Sequence, residues 1–351
     1  MKRITRIIIA CVALVAIISG AVMFALKQDH PSTKLNIVAT NFAGYDFART
    51  VIKDVPDTSV EMLLPAGTDL HAYEPTPGDI AKIAAADLFI YNGGESEAWV
   101  DEVLATLPDV HTIKMMDAVD VKEEELPAGA EENEEEDGEE VEYDEHIWTS
   151  FENATRITRI IAEELKEVNP EQETSFTANA NTFAATANSL KSEFKNMIDS
   201  AKRQVIIFGD KFPLRYFADE MGLTYYAAFP GCAEETEASP QTIATLINVV
   251  KVNGLPVIFK IELSSGNIAK TIADETDAKV LEFNTMHNIS KDDFNTGATF
   301  ISIMKKDTPY SITITQTSCI SMTQRTIINI STMMMRALSS LLSGNKKTIK
   351  S

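Results

Sequence analysis

The sequence predicts an α/β protein of two lobes, each a small, mostly parallel sheet flanked by helices, joined by one long rigid helix. Short apolar strands alternate with amphipathic helices in two separate stretches of the 351-residue chain, and this alternation is typical of βαβ units and parallel sheets. Between the two stretches, residues 171–202 contain neither Gly nor Pro. They predict a continuous helix of about 45 Å at 1.5 Å per residue, long enough to brace both lobes.

The first lobe is assigned to residues 35–168. It begins with the strand LNIVAT and the amphipathic helix FAGYDFARTVIKD, and it continues with the strand SVEMLLP. A loop and a helix from Asp79 lead to the buried strand ADLFIYNGG, the helix ESEAWVDEVLATL and the strand VHTIKMM. An acidic insert, residues 122–145, follows; it has almost no apolar residues and is predicted to be flexible. A helix from Phe151 to Glu167 then ends the lobe.

The linking helix carries one apolar stripe, which predicts that a single face of it is buried. The members of this stripe are Phe176, Phe183, Leu190, Phe194 and Ile198.

The second lobe, residues 203–306, repeats the alternation of the first. Its strands are QVIIFGD, LTYYAAF, LPVIFKIE and AKVLEF, and the helices between them are FPLRYFADEMG, SPQTIATLINVVKVNG and GNIAKTIADETD. The middle helix has a serine at its start and a glycine at its end, which are typical helix boundaries. Residues 307–351 form an atypical tail that is rich in Ser, Thr and Met and has no acidic residue after Asp307.

Charge and the N-terminus narrow the classes of function. The net charge of −21 argues against nucleic acid as a partner, because phosphate contacts need a basic face. Lys2, Arg3 and Arg6 precede an apolar run from Ile7 to Leu26, the layout of a signal peptide or an uncleaved membrane anchor over residues 1–26. We therefore expect an extracytoplasmic protein that associates with the membrane through this segment, at the outer face of the cytoplasmic membrane or in the periplasm.

Two histidines stand at informative places. His71 lies in PAGTDLHAYEPTPGDI, directly after a predicted strand, where open α/β sheets bind their ligands. His146 lies in DEHIWTS, at the end of the acidic insert. Each is open to two interpretations, a metal ligand or a solvated surface histidine, and neutral imidazoles suit both zinc and manganese.

These two segments, with GDKFPLRYFADEMGL and PGCAEETEASP, resemble the metal-binding proteins of zinc- and manganese-uptake ABC transporters. The resemblance covers about residues 35–306. It implies that each lobe gives two ligands to one divalent metal in the cleft, and that His71 and His146 are the pair from the first lobe.

The second lobe departs from the family pattern. Asp210 is the nearest carboxylate to the third ligand position, although it also fits a cap for the helix that begins near Phe212. The last ligand position falls close to Asn284, and His287, three residues later, is the better zinc ligand. Glu237 is either a ligand, a positioning residue or a surface residue.

The resemblance implies a binding protein without catalytic activity. It would capture Zn²⁺, or else Mn²⁺, and deliver it to an ABC permease. Two alternatives remain open at this point. One is an exported metal-dependent hydrolase, against which the lack of HExxH and GxSxG motifs counts. The other is an adhesion or sensing protein on the same fold.

Overall fold

The computed structural model describes residues 34–128, 130, 142–233 and 237–315. The predicted signal or anchor, residues 1–26, and the tail beyond residue 315 lie outside these residues. Among the helices that are described, none combines the length and the apolar character needed to cross a membrane.

Two four-stranded parallel sheets, one in each lobe, confirm the predicted architecture. The first lobe has the spatial order β2-β1-β3-β4, and its strands are β1 (Leu35–Ala39), β2 (Thr58–Met62), β3 (Leu88–Tyr91) and β4 (Thr112–Lys114). The second has the order β6-β5-β7-β8, with β5 (Val205–Lys211), β6 (Thr224–Phe229), β7 (Val257–Ile261) and β8 (Lys279–Phe283). In both sheets the order reverses beside the first strand, and open α/β sheets bind ligands at the carboxyl ends of their strands near such a reversal.

The helices cover the faces of these sheets. In chain order the described ones are α1 (Phe42–Val51), α2 (Pro77–Ala84), α3 (Trp99–Thr106), α4 (Phe151–Val168), α5 (Glu173–Asp199), α6 (Arg215–Met221), α7 (Pro240–Asn253), α8 (Asn267–Asp274), α9 (Lys291–Asn295) and α10 (Phe300–Thr315).

Helix α5 is the predicted linking helix, and its 27 residues lie within the predicted range. All five members of its apolar stripe are buried. Helix α10 packs against α5 and crosses residue 306, where the sequence analysis places the start of the tail. The first residue of that predicted tail, Asp307, is 1% exposed and belongs to the core of the protein.

The two lobes share one core at the rear of the cleft. The ring of Phe300 lies 5.6 Å from that of Phe47 and 5.8 Å from that of Phe183, measured between centroids. The buried carboxylate of Asp46 in α1 accepts a hydrogen bond from the backbone N of Phe300 (2.7 Å), at the start of α10. Arg49 donates to the carbonyl of Ala298 (2.6 Å). Helix α10 is thus fixed to the first lobe.

The described ends of the acidic insert connect the lobes at a second place. The backbone N of Lys122 donates to the hydroxyl of Tyr216 in α6 (3.0 Å), and that hydroxyl donates to the carbonyl of Asp144 (2.8 Å). Arg215 forms an ion pair with Glu125 (2.9 Å). Both ends of the insert therefore contact the second lobe, although the insert belongs to the first lobe in sequence.

Candidate metal centre

His71 is held in a short 3-10 turn after β2. Asp69 precedes the turn and its Oδ1 accepts a hydrogen bond from the backbone N of His71 (3.0 Å). Leu70 is buried and anchors the turn in the core. Thr76 and Asp79 form a reciprocal capping box at the start of α2, which fixes the end of the loop. The segment around His71 is therefore a well-anchored loop at the carboxyl edge of the first sheet.

His146 enters the cleft at the end of the insert and is fully buried. Asp144 Oδ1 accepts a hydrogen bond from its backbone N (2.8 Å) and lies 3.0 Å from its ring Nδ1. The following Trp148 donates from its indole to the carbonyl of Thr285 in the second lobe (3.1 Å). A Cβ on Gly231 would lie 3.0 Å from the His146 ring, so a second-lobe loop packs directly on this histidine.

His287 lies in the loop after β8, and a buried carboxylate shapes that loop. Glu262, directly after β7, accepts hydrogen bonds from the backbone N of Thr285 (2.8 Å) and of Asn288 (3.0 Å). The Thr285 hydroxyl also contacts it. Because a carboxylate that accepts two backbone N–H groups is held strongly, Glu262 stabilises this loop with His287 directed toward the other two histidines.

The structure brings three histidines together from both lobes. One ring nitrogen from each of His71, His146 and His287 lies within 4.8 Å of the others. His146 Nε2 and His287 Nδ1 are 2.8 Å apart, and the centroid of the His71 ring is 4.8 Å from that of His287. His71 Nε2 is buried and has no hydrogen-bond partner among the described residues.

Two carboxylates identify the nitrogen that His146 and His287 each present to the group. Asp144 Oδ1 takes the Nδ1 side of His146, so His146 presents Nε2. Asp69 Oδ1 lies 3.3 Å from Nε2 of His287, so His287 presents Nδ1. The buried and unpartnered Nε2 of His71 is the third candidate ligand atom. Hydrogen-bonded carboxylates of this kind orient histidine ligands in metal sites.

Three neutral imidazoles match the donor set that zinc prefers. On a tetrahedral zinc, Zn–N bonds of about 2.0–2.1 Å place two nitrogens about 3.4 Å apart. His146 Nε2 and His287 Nδ1, at 2.8 Å, are somewhat closer than that. A shift of about half an ångström between the lobes would bring this pair of nitrogens to the zinc spacing.

The protonation of the three rings differs. Burial, assisted by the charges of the other two histidines, lowers the pKa of His71 to about 3. Burial also lowers the pKa of His287 to about 4, against the opposing hydrogen bond of Asp69. Burial acts in the same direction on His146, but the hydrogen bond and charge of Asp144 outweigh it and raise the pKa of that histidine above 6.5. Of the three rings, His146 therefore binds a proton most readily, and its Nε2 faces Nδ1 of His287.

Asp210 lies outside the histidine group. It is the next-to-last residue of β5, and its carboxylate accepts from the backbone N of Lys211 (2.9 Å) and of Ile261 (3.4 Å). The alternative that it caps the next helix is wrong, because α6 begins at Arg215, not near Phe212, and has no side-chain cap. The positive charge of the next residue, Lys211, acts on the histidine group and lowers the pKa of His71 and of His287.

The remaining predicted candidates also lie apart from the three rings. Asn284 is buried and its Oδ1 accepts from the backbone N of Met286 (3.0 Å), so its side chain closes a turn. Glu237 is exposed and does not belong to the histidine group.

Sequence reasoning missed the three carboxylates that position the rings, Asp69, Asp144 and Glu262. Two of them stand two residues before a candidate histidine, at a distance that allows an aspartate to accept from the histidine backbone. The third is an acid at the carboxyl end of a strand. The spacing of an aspartate two residues before a histidine, and an acid at the end of a strand, are the sequence features that indicate these positioning carboxylates.

Comparisons with known proteins agree on one family. The family model described as "ZnuA: Zinc-uptake complex component A periplasmic" matches residues 37–309. The zinc-binding lipoprotein AdcA of Streptococcus pneumoniae strain R6 is 30% identical over 313 residues, which are 88% of this chain and 60% of that protein. This chain therefore spans less than two thirds of that relative's length.

A second relative and a solved structure match over most of their own length. The high-affinity zinc uptake system protein ZnuA of Bacillus subtilis strain 168 is 29% identical, over 86% of this chain and 93% of that protein. The crystal structure of the Zn(II)-bound ZnuA-like domain of Streptococcus pneumoniae AdcA superposes with a TM-score of 0.66 at 29% identity. It covers 81% of this chain and all of that domain.

Proposed function

The chain belongs to the ZnuA family of periplasmic zinc-uptake components, and we propose that it captures Zn²⁺ outside the cytoplasm and delivers it to an ABC permease. One observation carries the proposal: His71 and His146 from the first lobe and His287 from the second converge on a single point. Nitrogens from both lobes allow one ion to join them, as capture in a cleft requires.

The donor set supports zinc ahead of manganese. All three ligand atoms in the proposed site are imidazole nitrogens, and manganese favours sites richer in carboxylate oxygen. Asp210 and Asn284 are not assigned as ligands, because the oxygens of both are engaged by backbone N–H groups. Glu237 is not assigned either, because it is exposed and apart from the rings.

Absence of catalysis is part of the proposal. A hydrolytic zinc site needs a general base beside the metal-bound water. The two carboxylates nearest the rings, Asp69 and Asp144, are already hydrogen-bonded to ring nitrogens. They orient ligands and are poorly placed to accept a proton from water.

Delivery requires a position next to a permease. The apolar segment of residues 1–26 supports export and attachment to the membrane surface, and one relative is named a lipoprotein. The proposed domain limits are a metal-binding lobe at 35–168, the linking helix at 171–202 and a second metal-binding lobe at 203–306.

Calorimetric titration of the full-length protein with Zn²⁺ and Mn²⁺ tests the proposal. We expect one zinc per chain, bound more tightly than about 10 μM, which corresponds to about 7 kcal/mol. His71→Ala, His146→Ala and His287→Ala should each weaken it strongly, whereas Glu237→Ala, a surface control, should not. Failure of the wild type to bind zinc at this level would contradict the proposal, as would a preference for Mn²⁺.

Transport is tested separately. Deletion of the gene should reduce zinc accumulation by cells in zinc-poor medium, and the wild-type gene should restore it. Restoration by a variant that lacks all three histidines would show that the protein acts in another way.

A further inference from the structure

We propose that Asp69 is a positioning residue for zinc capture: its carboxylate, on the first lobe, holds the His287 ring of the second lobe with Nδ1 toward the metal. This inference rests on the proposed function and adds a residue to it. Asp69 does not bind the metal in this account, and it acts through His287.

The geometry of the contact crosses the cleft. Asp69 Oδ1 lies 3.3 Å from His287 Nε2, while the opposite ring nitrogen, Nδ1, lies 2.8 Å from His146 Nε2. The two nitrogens of an imidazole point in different directions, so the partner of one determines which is available to a metal. With Nε2–H donated to Asp69, Nδ1 of His287 has the lone pair.

The same carboxylate oxygen also fixes a ligand of the first lobe. Asp69 Oδ1 accepts from the backbone N of His71 at 3.0 Å. One oxygen therefore relates a ligand of each lobe to the other.

The loops that carry these residues are joined directly as well. The backbone N of Gly67 donates to the carbonyl of Ile289 at 2.7 Å, which links the His71 loop to the His287 loop. The side chain of Lys291 lies against Gly67, 3.5 Å from where a Cβ would be. Asp69 thus lies where the loops of the two lobes contact each other. A His287 ring that is already held in the binding orientation loses less conformational entropy when it binds the metal.

The arrangement separates the functions of the two orienting aspartates. Asp144 and His146 belong to the same lobe, so their contact persists however the lobes move. Asp69 and His287 belong to different lobes, and their contact exists only when the lobes are together. Removal of Asp69 should therefore accelerate zinc release more than it slows capture.

Long-range ¹H–¹⁵N NMR of histidine-labelled, zinc-loaded full-length protein tests the proposal directly in the wild type. We expect His71 and His146 bound through Nε2 and His287 bound through Nδ1. Coordination of zinc by Nε2 of His287 would overturn the proposal without any substitution, and so would a zinc-loaded site from which His287 is missing.

Variants measure the effect on affinity. Asp69→Ala should weaken zinc binding by about 10- to 100-fold, the range found when a carboxylate partner of a histidine ligand is removed. Most of the loss should lie in the release rate, measured by stopped flow against a chelator. Asp69→Asn keeps an oxygen acceptor and should recover most of the affinity and the Nδ1 signature of His287. Glu74→Ala, which removes an exposed carboxylate from the same loop, is the charge-matched control and should behave as wild type.

The outcomes separate the two proposals. If the wild type binds zinc and His287→Ala does not, but Asp69→Ala retains wild-type affinity and release rate, the positioning role is wrong and the proposed function stands. Equal losses in Asp69→Ala and Glu74→Ala would also overturn it, because they would reflect general charge. If the wild type does not bind zinc, both proposals fall.

Discussion

Lowering the pH by one unit below the pKa of His146 should weaken zinc binding by about tenfold, or 1.36 kcal/mol, and no more. The size of this loss of zinc affinity follows from the number of protons that zinc must displace from its ligands. Of the three clustered rings, only His146 has a raised pKa, because Asp144 outweighs the effect of burial. The pKa values of His71 and His287, about 3 and 4, leave both rings neutral well below pH 6.

Below the raised pKa of His146, its Nε2 carries a proton that zinc must replace, so the apparent affinity falls as the pH falls. The logarithm of the affinity should change by about one per pH unit between pH 6.5 and 5. Three histidines with ordinary pKa values would approach a slope of three, which is about a thousandfold loss for one pH unit.

Competition titration against a zinc-sensitive dye from pH 5 to 8 measures this slope. Calorimetry in buffers of different ionisation enthalpy counts the released proton independently. Asp144→Asn, which removes the charge that raises the pKa of His146, should shift the onset of the pH dependence to lower pH. A slope of two or more between pH 6.5 and 5 would refute the reasoning, and so would affinity that is independent of pH.

Three further predictions concern the surroundings of the site. Lys211→Met should strengthen zinc binding a few-fold at low ionic strength, since it removes a positive charge that acts on the rings, and the gain should shrink in 1 M salt. Gly231→Ala should weaken zinc binding in the same titration, because the added Cβ would lie 3.0 Å from the His146 ring. Gly78→Ala is the control: its Cβ would meet only an ordinary 3.5 Å contact, so zinc binding should stay unchanged. In chelator-treated protein, the free energy of unfolding measured with urea should decline as the pH falls from 6.5 toward 4. The reason is that His71 and His287, whose pKa values are lowered in the folded protein, bind protons more readily in the unfolded chain. Unchanged stability over this range would contradict the lowered pKa values.

Local patterns in the sequence were sufficient for the architecture. The alternation of strands and helices predicted two parallel sheets, which the structure has, and the apolar stripe of α5 is buried as predicted. Both properties depend on residues close together in the chain, so periodicity reveals them. The start of α6 was misplaced by three residues because the chain through Pro213 remains non-helical until Arg215.

The second lobe's half of the site was harder to predict for a physical reason. The Asp210 carboxylate accepts from the neighbouring Lys211 N and also from a backbone N–H of β7, about fifty residues away. The loop that carries His287 follows β8 and is positioned by Glu262, which directly follows β7. Such contacts between distant segments leave no periodic signal in one sequence. The resemblance drew attention to the position of Asn284 and His287, but only the folded chain shows which of them faces His71.

The most direct test of the central account is the position of zinc in a crystal of the zinc-loaded protein, located by its anomalous scattering. The account predicts one zinc per chain in the cleft, bound by His71 Nε2, His146 Nε2 and His287 Nδ1 at about 2.0–2.1 Å. A zinc held by Asp210, or bound through residues of one lobe alone, would contradict it.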